Sequence, residues 1–222
     1  MDAAGIIRQL AVSAPAILVA ITFHEVAHGY IAYRLGDPTA KSMGRLTLNP
    51  IAHIDPIGTV IMPALLLIFT QGQFVFGYAK PVPINPYNFK NPRKDMALSA
   101  AGGPAANLAL ALASVLIMKF VIAPLSIFVP ASVSSSVLAP LMLMFRSSVI
   151  INVVLAAFNL IPVPPLDGGR VLVGFLPRNQ AHALSRVEPY GMMIVIILIA
   201  TGMAEFFINP LINLFLAVLS LF

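Results

Sequence analysis

The chain has 222 residues, 59% of them hydrophobic and only 9% charged, and an ordinary soluble domain is about a quarter charged; it therefore reads as a membrane protein. With no cysteine, disulfides and thiolate metal sites are excluded, and a metal would have to be held by His, Asp or Glu. The net charge of +5 is carried by bases lying between apolar runs, which points to topology and anionic lipid and not to nucleic acid.

Met1 and Asp2 are followed by one base, Arg8, and by an apolar run that continues into a polar motif. No cleaved signal is expected, and 1–222 is read as one mature domain. The first run, 5–35, is long enough to cross roughly 30 Å of hydrocarbon with some tilt, and Gly36-Asp37-Pro38 ends it. The next, 57–70, contains Pro63 and is shorter than the roughly 17–25 residues a span needs, so it is read as re-entrant or tilted. The stretch 74–84 is β-rich in composition and closed by prolines, the pattern of an extended edge segment. Further spans are expected at 97–121, 137–160 and 189–207, with a Pro- and Ser-rich connection at 122–136. Asn209-Pro210 is expected to break the chain before a terminal apolar segment at 211–222. The expected fold is an all-α polytopic membrane protein of about four to six transmembrane helices, with a short β-like or re-entrant membrane-associated segment.

Charge sets the orientation. Arg34, Lys41, Arg45, Lys80, Lys90, Arg93 and Lys94 lie between the first two clear spans, and Arg170, Arg178 and Arg186 between the last two. The positive-inside rule places both groups in the cytoplasm and 122–136 outside.

His24-Glu25-Val26-Ala27-His28 is an HExxH motif inside the first apolar run. On a helix, positions i and i+4 share a face, so both imidazoles can grip one zinc ion. Glu25 follows His24 directly and is placed to act as acid/base on the attacking water. Chance HExxH matches occur in soluble helices. Inside a span, however, each ionisable group costs about 2.5–3.5 kcal/mol even on the lenient insertion scale, and a divalent cation is the obvious compensation. Zinc needs a third protein ligand. Asp167 and His53 are the candidates, and spacing leaves open whether Asp167 only caps the helix that follows it.

The HExxH followed far downstream by Asn159-Leu-Ile-Pro-Val-Pro-Pro-Leu-Asp167-Gly resembles the site-2 protease family of intramembrane zinc metalloproteases. Gly44-Arg-Leu-Thr-Leu-Asn-Pro, His53-Ile-Asp-Pro, Phe76-Gly-Tyr-Ala-Lys-Pro-Val-Pro and Ala101-Gly-Gly-Pro-Ala-Ala-Asn107 are similar to its compact branch, and the resemblance covers nearly the whole chain. Two departures stand out. Many members carry a PDZ or CBS domain, and many have a span ahead of the HExxH helix; neither is found here. The resemblance implies Asp167 as third ligand to one Zn2+ per chain. It also implies substrates such as membrane-tethered regulators, anti-sigma factors among them, or remnant signal peptides, in a prokaryotic plasma membrane.

Asn107 and Asn159 are weaker candidates for stabilising an oxyanion, against interhelical hydrogen bonding. His53, Tyr78 and Lys80 are candidate substrate contacts. A membrane helix has its backbone hydrogen bonds made internally, so a substrate must unwind locally, and 74–84 is a template for the extended form. The rival reading is a non-proteolytic membrane protein that binds or carries zinc. A membrane hydrolase of lipid or another non-peptide amide is a weaker third.

Overall fold

The computed structural model describes residues 3–69 and 77–222. The described chain is helical, with no strand. Three helices carry the architecture. We label them α1 (Ala3–Arg34), α3 (Pro92–Phe128) and α4 (Ala131–Asn159), and all three are long and apolar enough to cross a membrane. Between α1 and α3 lies α2 (Met62–Phe69), entered through a π-helical turn at Pro56–Ile61 whose first amides are capped by Asp55. After α4 come α5 (Asp167–Phe175), α6 (Arg178–Ser185), α7 (Glu188–Ala200) and α8 (Met203–Leu219). α6 and α7 meet at 69° and make a fourth span only if that bent pair is counted as one. The protein is an all-α, multi-pass membrane protein, with three or four candidate spans among the described residues against the four to six expected.

α1, α3 and α4 pack on one another, and α5 lies against α3. Facing pairs give the directions. His28 meets Ser99 while His24 meets Asn107, so α1 and α3 are antiparallel. Asn107 meets Asn152 while Ser114 meets Ser148, so α4 runs antiparallel to α3. The end of α4, and Asp167 just beyond it, therefore returns to the end of the bundle that holds His28. The short apolar helix 56–66 is below spanning length.

Close approach comes from small residues. Ala20, Ala32, Ala100, Ala111, Ala156 and Ala157 are buried at the contacts. At Gly102 an added Cβ would lie 2.5 Å from Ile31 Cδ1 and 3.2 Å from the Ala27 carbonyl oxygen, so α3 rests closely on the HExxH turn of α1.

Three expectations are corrected. The 122–136 connection is helical on both sides of a single break at Val129–Pro130. Ahead of the break, Ala123–Phe128 prolongs the preceding helix through a π-helical turn at Met118–Ile122. Beyond it, the serine-rich stretch enters α4 through a second π-helical turn at Ser134–Leu138. The last break falls at Thr201-Gly202, where Gly202 takes φ +74°, a conformation favouring glycine. Pro210 sits inside α8 instead of ending it; in an apolar setting neighbouring groups and local adjustment absorb the freed carbonyl. Finally, of the proposed edge segment, 74–76 lie outside the described residues. Residues 77–84 form no strand ladder, because their backbone groups bond turns and side chains.

That segment is held at both ends. Tyr78 N–H donates to the Gly58 carbonyl at 3.0 Å and Lys80 N–H to the His53 carbonyl at 3.0 Å. The Tyr78 and Lys80 carbonyls accept from Thr59 Oγ1 and Arg45 Nη2, each at 2.8 Å. Beyond it, buried Asp37 gathers the Asn85 amide at 2.7 Å, Asn88 Nδ2 at 2.7 Å and the backbone N–H and hydroxyl of Thr39. Burial raises the pKa of Asp37, but the hydrogen bonds from Asn88, Thr39 and Asn85 outweigh it and hold the carboxyl below its ordinary value of 3.8. A carboxyl depressed in the folded state contributes stability above its unfolded pKa and loses it as pH falls through the folded value. Hydrogen exchange in detergent, corrected for intrinsic rate, should show the Asn85 amide protected above about pH 4 and losing protection on further acidification. Asp37→Asn, with one acceptor oxygen in place of two, should lower that protection and remove the pH step.

Candidate metal centre

His24 and His28 lie one turn apart on α1, buried at 6% and 8% exposure. α3 takes one hydrogen from each ring. His28 Nδ1 is 2.8 Å from the Ser99 carbonyl, and a carbonyl only accepts, so Nδ1 is the donor. His24 Nδ1 is 2.6 Å from Asn107 Oδ1. The amide orientation follows from Asn107 Nδ2, which faces the Ala20 carbonyl at 3.1 Å and must be the donor there. Both imidazoles thus carry hydrogen on Nδ1 and turn Nε2 lone pairs to the same point.

The two Nε2 atoms stand 3.0 Å apart, and Asp167 Oδ2 is 3.2 Å from each. That oxygen is buried with no hydrogen-bond donor among the described residues. Three lone-pair atoms converging in a dry place repel one another unless a cation sits among them. The donor set, two imidazoles and one carboxylate whose ligand atoms all fall within 4.8 Å, fits zinc with one position left for a reactant.

Asp167 is delivered by a folded-back loop. The helix N-cap is Leu166, and Asp167, the first residue of α5, turns its carboxylate to the histidines. A Cβ at Gly168 would sit 2.2 Å from the Leu160 carbonyl oxygen, and one at Gly169 2.1 Å from Pro164 N. The two glycines are what let the proline-rich loop cross directly over the start of α5.

Glu25 points elsewhere. Its Oε2 accepts from the Val82 N–H at 2.8 Å, which ties the carboxylate to the 77–84 segment. Sequence reading missed this bond, since nothing local relates residues so far apart.

The weaker candidates divide. Asn107 donates both amide hydrogens to protein acceptors, Ala20 O and Asn152 Oδ1, so it has none for an oxyanion and serves His24 instead. Asn159 bonds back to the Leu155 carbonyl at 2.9 Å within its own helix. His53 is 1% exposed, holds the Thr47 carbonyl through Nε2 at 2.8 Å and stands outside the group that can hold a metal among the described residues. Its turn anchors Lys80. Tyr78 is 40% exposed with its ring against Gly58, and it lines an apolar cavity of about 510 Å³ with Met62, Leu66 and Ile196. Lys80 is exposed.

YwhC of Bacillus subtilis, which bears a provisional zinc-metalloprotease name, is 37% identical over 197 residues, covering 89% of this chain and 84% of that protein. The chain belongs to peptidase family M50. The family's own model matches residues 118–202, a stretch that holds Asp167 but not the HExxH turn. Rip2 of Mycolicibacterium smegmatis, also with a provisional zinc-metalloprotease name, is 28% identical over 188 residues, and the match covers 83% of this chain and only 64% of that protein. No solved structure matches the chain. This M50 peptidase is a zinc metallopeptidase, a member of the family that its motifs resemble.

Gly103 tests the cradle. A Cβ there would lie 2.4 Å from His28 Nε2 and 2.6 Å from His24 Cε1, and both rings are pinned at Nδ1. Gly103→Ala should lower zinc affinity by at least about tenfold, as outer-sphere disturbances of metal sites do, with helix content unchanged. Zinc titration against a competing chelator, paired with circular dichroism, reads both.

Proposed function

We propose that this peptidase hydrolyses peptide bonds in or beside the membrane segment of single-span proteins, with His24, His28 and Asp167 holding one zinc ion and Glu25 as acid/base. The observation that carries the reading is the convergence of three buried lone-pair atoms beside a carboxylate fixed by the substrate-side loop. When bound, zinc supplies a Lewis acid that polarises the scissile carbonyl and acidifies a water. Glu25 takes the proton of the attacking water and returns it to the leaving amine. The Val82 N–H holds Oε2 and so fixes the direction from which the carboxylate acts.

The 77–84 segment is the template on which an unwound substrate lies. Its bonds to the body of the protein alternate, at Tyr78, Lys80 and Val82. In an extended chain, residues 79, 81 and 83 then turn the other way. Two of these are prolines, which have no N–H. The edge offered to a substrate is therefore rich in acceptors, suited to the N–H donors that unwinding sets free. The apolar cavity beside Tyr78 is a place for a substrate side chain. Membrane-tethered regulators and remnant signal peptides are the substrate classes, in regulated proteolysis near the cytoplasmic face of a prokaryotic plasma membrane. The chain acts as a single intramembrane domain.

Glu25→Gln keeps the shape and a hydrogen-bonding group but cannot accept the proton. It should bind zinc while cleavage of a single-span substrate in detergent falls by about 10²–10⁴-fold. His24→Ala should lose both. Near wild-type cleavage by Glu25→Gln would refute the mechanism.

Val82→Pro removes the N–H that holds Glu25, between two residues that are already proline. Turnover should fall by about tenfold, the scale of one hydrogen bond to a charged group, with zinc content intact. Val82→Ala keeps the N–H and should lose less. Equal losses in the two variants would assign the effect to the side chain.

A further inference from the structure

Beyond the ligands and Glu25, a line of polar groups, buried except for the half-buried Ser148, runs from the metal centre into the apolar bundle. Asn107 and Asn152 are both 0% exposed. Asn107 Nδ2 donates to Asn152 Oδ1 at 2.8 Å. Asn152 Nδ2 donates to the Ser148 carbonyl at 2.8 Å and lies 3.2 Å from Ser148 Oγ. The Ser114 hydroxyl donates to the Leu110 carbonyl at 2.8 Å, so in its 2.9 Å contact with Ser148 the Ser148 hydroxyl is the donor. The line joins α3 to α4, and through Asn107 it reaches His24 on α1.

The direction of every amide in it is determined. Two backbone carbonyls, Ala20 on α1 and Ser148 on α4, can only accept. Ser148 O requires the nitrogen of Asn152 on its side, which presents the oxygen to Asn107. Ala20 O and that oxygen together take both hydrogens of Asn107 Nδ2. Asn107 is left with an oxygen, and only an oxygen, to offer His24 Nδ1.

We propose that Asn152 is a positioning residue of the metal centre, acting through Asn107 to hold His24 in the Nδ1–H form with Nε2 free for zinc. The proposal rests on His24 being a zinc ligand. Without Asn152, one Asn107 hydrogen is unpaired in a dry site, where a half-satisfied network is unfavourable. Asn107 is then held by Ala20 O alone, and its hold on His24 loosens. Partners of this kind affect metal affinity by about 10–100-fold when removed.

The test compares wild type, His24→Ala, Asn152→Leu and Asn152→Asp as purified full chains in detergent. Zinc dissociation constants are read by chelator competition, thermal midpoints are measured with and without zinc, and the ring tautomers by ¹⁵N-histidine NMR, which is tractable with four histidines. Asn152→Leu should bind zinc about 10–100-fold more weakly, show a smaller zinc-induced rise in midpoint and lose the single Nδ1–H signal of His24. A residue that only joins α3 to α4 would instead lower both midpoints equally and leave affinity and tautomer alone. Asn152→Asp should recover affinity at acid pH relative to Asn152→Leu, since a neutral carboxyl can donate to Ser148 O and accept from Asn107. If Asn152→Leu keeps the wild-type affinity and tautomer, the proposal is overturned while the ligand assignment stands. If wild type and His24→Ala bind zinc alike, the ligand assignment falls and this proposal falls with it.

Discussion

The site depends on where two imidazole hydrogens go. Helical spacing alone puts His24 and His28 on one face of α1, but it does not decide which ring nitrogens are bare. α3 decides it by presenting two oxygen acceptors, Ser99 O and Asn107 Oδ1, at the height of the two rings. Those acceptors reach the rings only because α3 comes down onto α1 at Gly102 and Gly103, where any Cβ would collide with Ile31 or with the imidazoles themselves. The small-residue run that reads as packing in the sequence is therefore also what sets the protonation of the ligands. Packing and chemistry are one constraint here.

A second constraint links the acid/base to the substrate side. Glu25 shares its helix with the ligands, yet its carboxylate is held by the backbone of Val82. The segment carrying Val82 is itself fixed upstream by the His53 turn and Gly58 and downstream by Asp37. The proposed substrate edge and the position of the Glu25 carboxylate are thus set by the same few residues. Displacement of this segment necessarily disturbs both binding and proton transfer. The Asp37 cluster acts at the far end of the same segment.

Much of this was legible in the sequence, for identifiable reasons. The HExxH turn and the Leu-Asp-Gly turn are local patterns whose meaning survives without a fold, and the long apolar runs announced α1, α3 and α4. The 57–70 run, read as re-entrant or tilted, is a short apolar helix over its described residues. What failed was the assignment of breaks. Pro210 reads as a breaker by its usual effect in water, yet the chain turns at Gly202, where a positive φ is needed. The 74–84 stretch has strand composition, but at 77–84 its bonding groups are taken by residues distant in sequence. Asn152 carried no signal of its own. An asparagine in a span reads as generic interhelical bonding, and only its contact with Asn107 gives it a part in the site.

The polar groups among α1, α3 and α4 also bear on where a metal would sit. A buried donor or acceptor without a partner is costly, the more so where no water can reach it. Along the line from Ser114 through Ser148, Asn152 and Asn107 to His24, each donor finds an acceptor, and three backbone carbonyls, Leu110, Ser148 and Ala20, absorb the surplus hydrogens. His28 discharges its hydrogen on Ser99 in the same way. The bookkeeping balances until it arrives at Nε2 of the two histidines and Oδ2 of Asp167, where three acceptors meet and no donor remains among the described residues. An excess of lone pairs at a single dry point has one electrostatic remedy, a positive ion. That convergence is compatible with a metal ion, which is the role proposed for it.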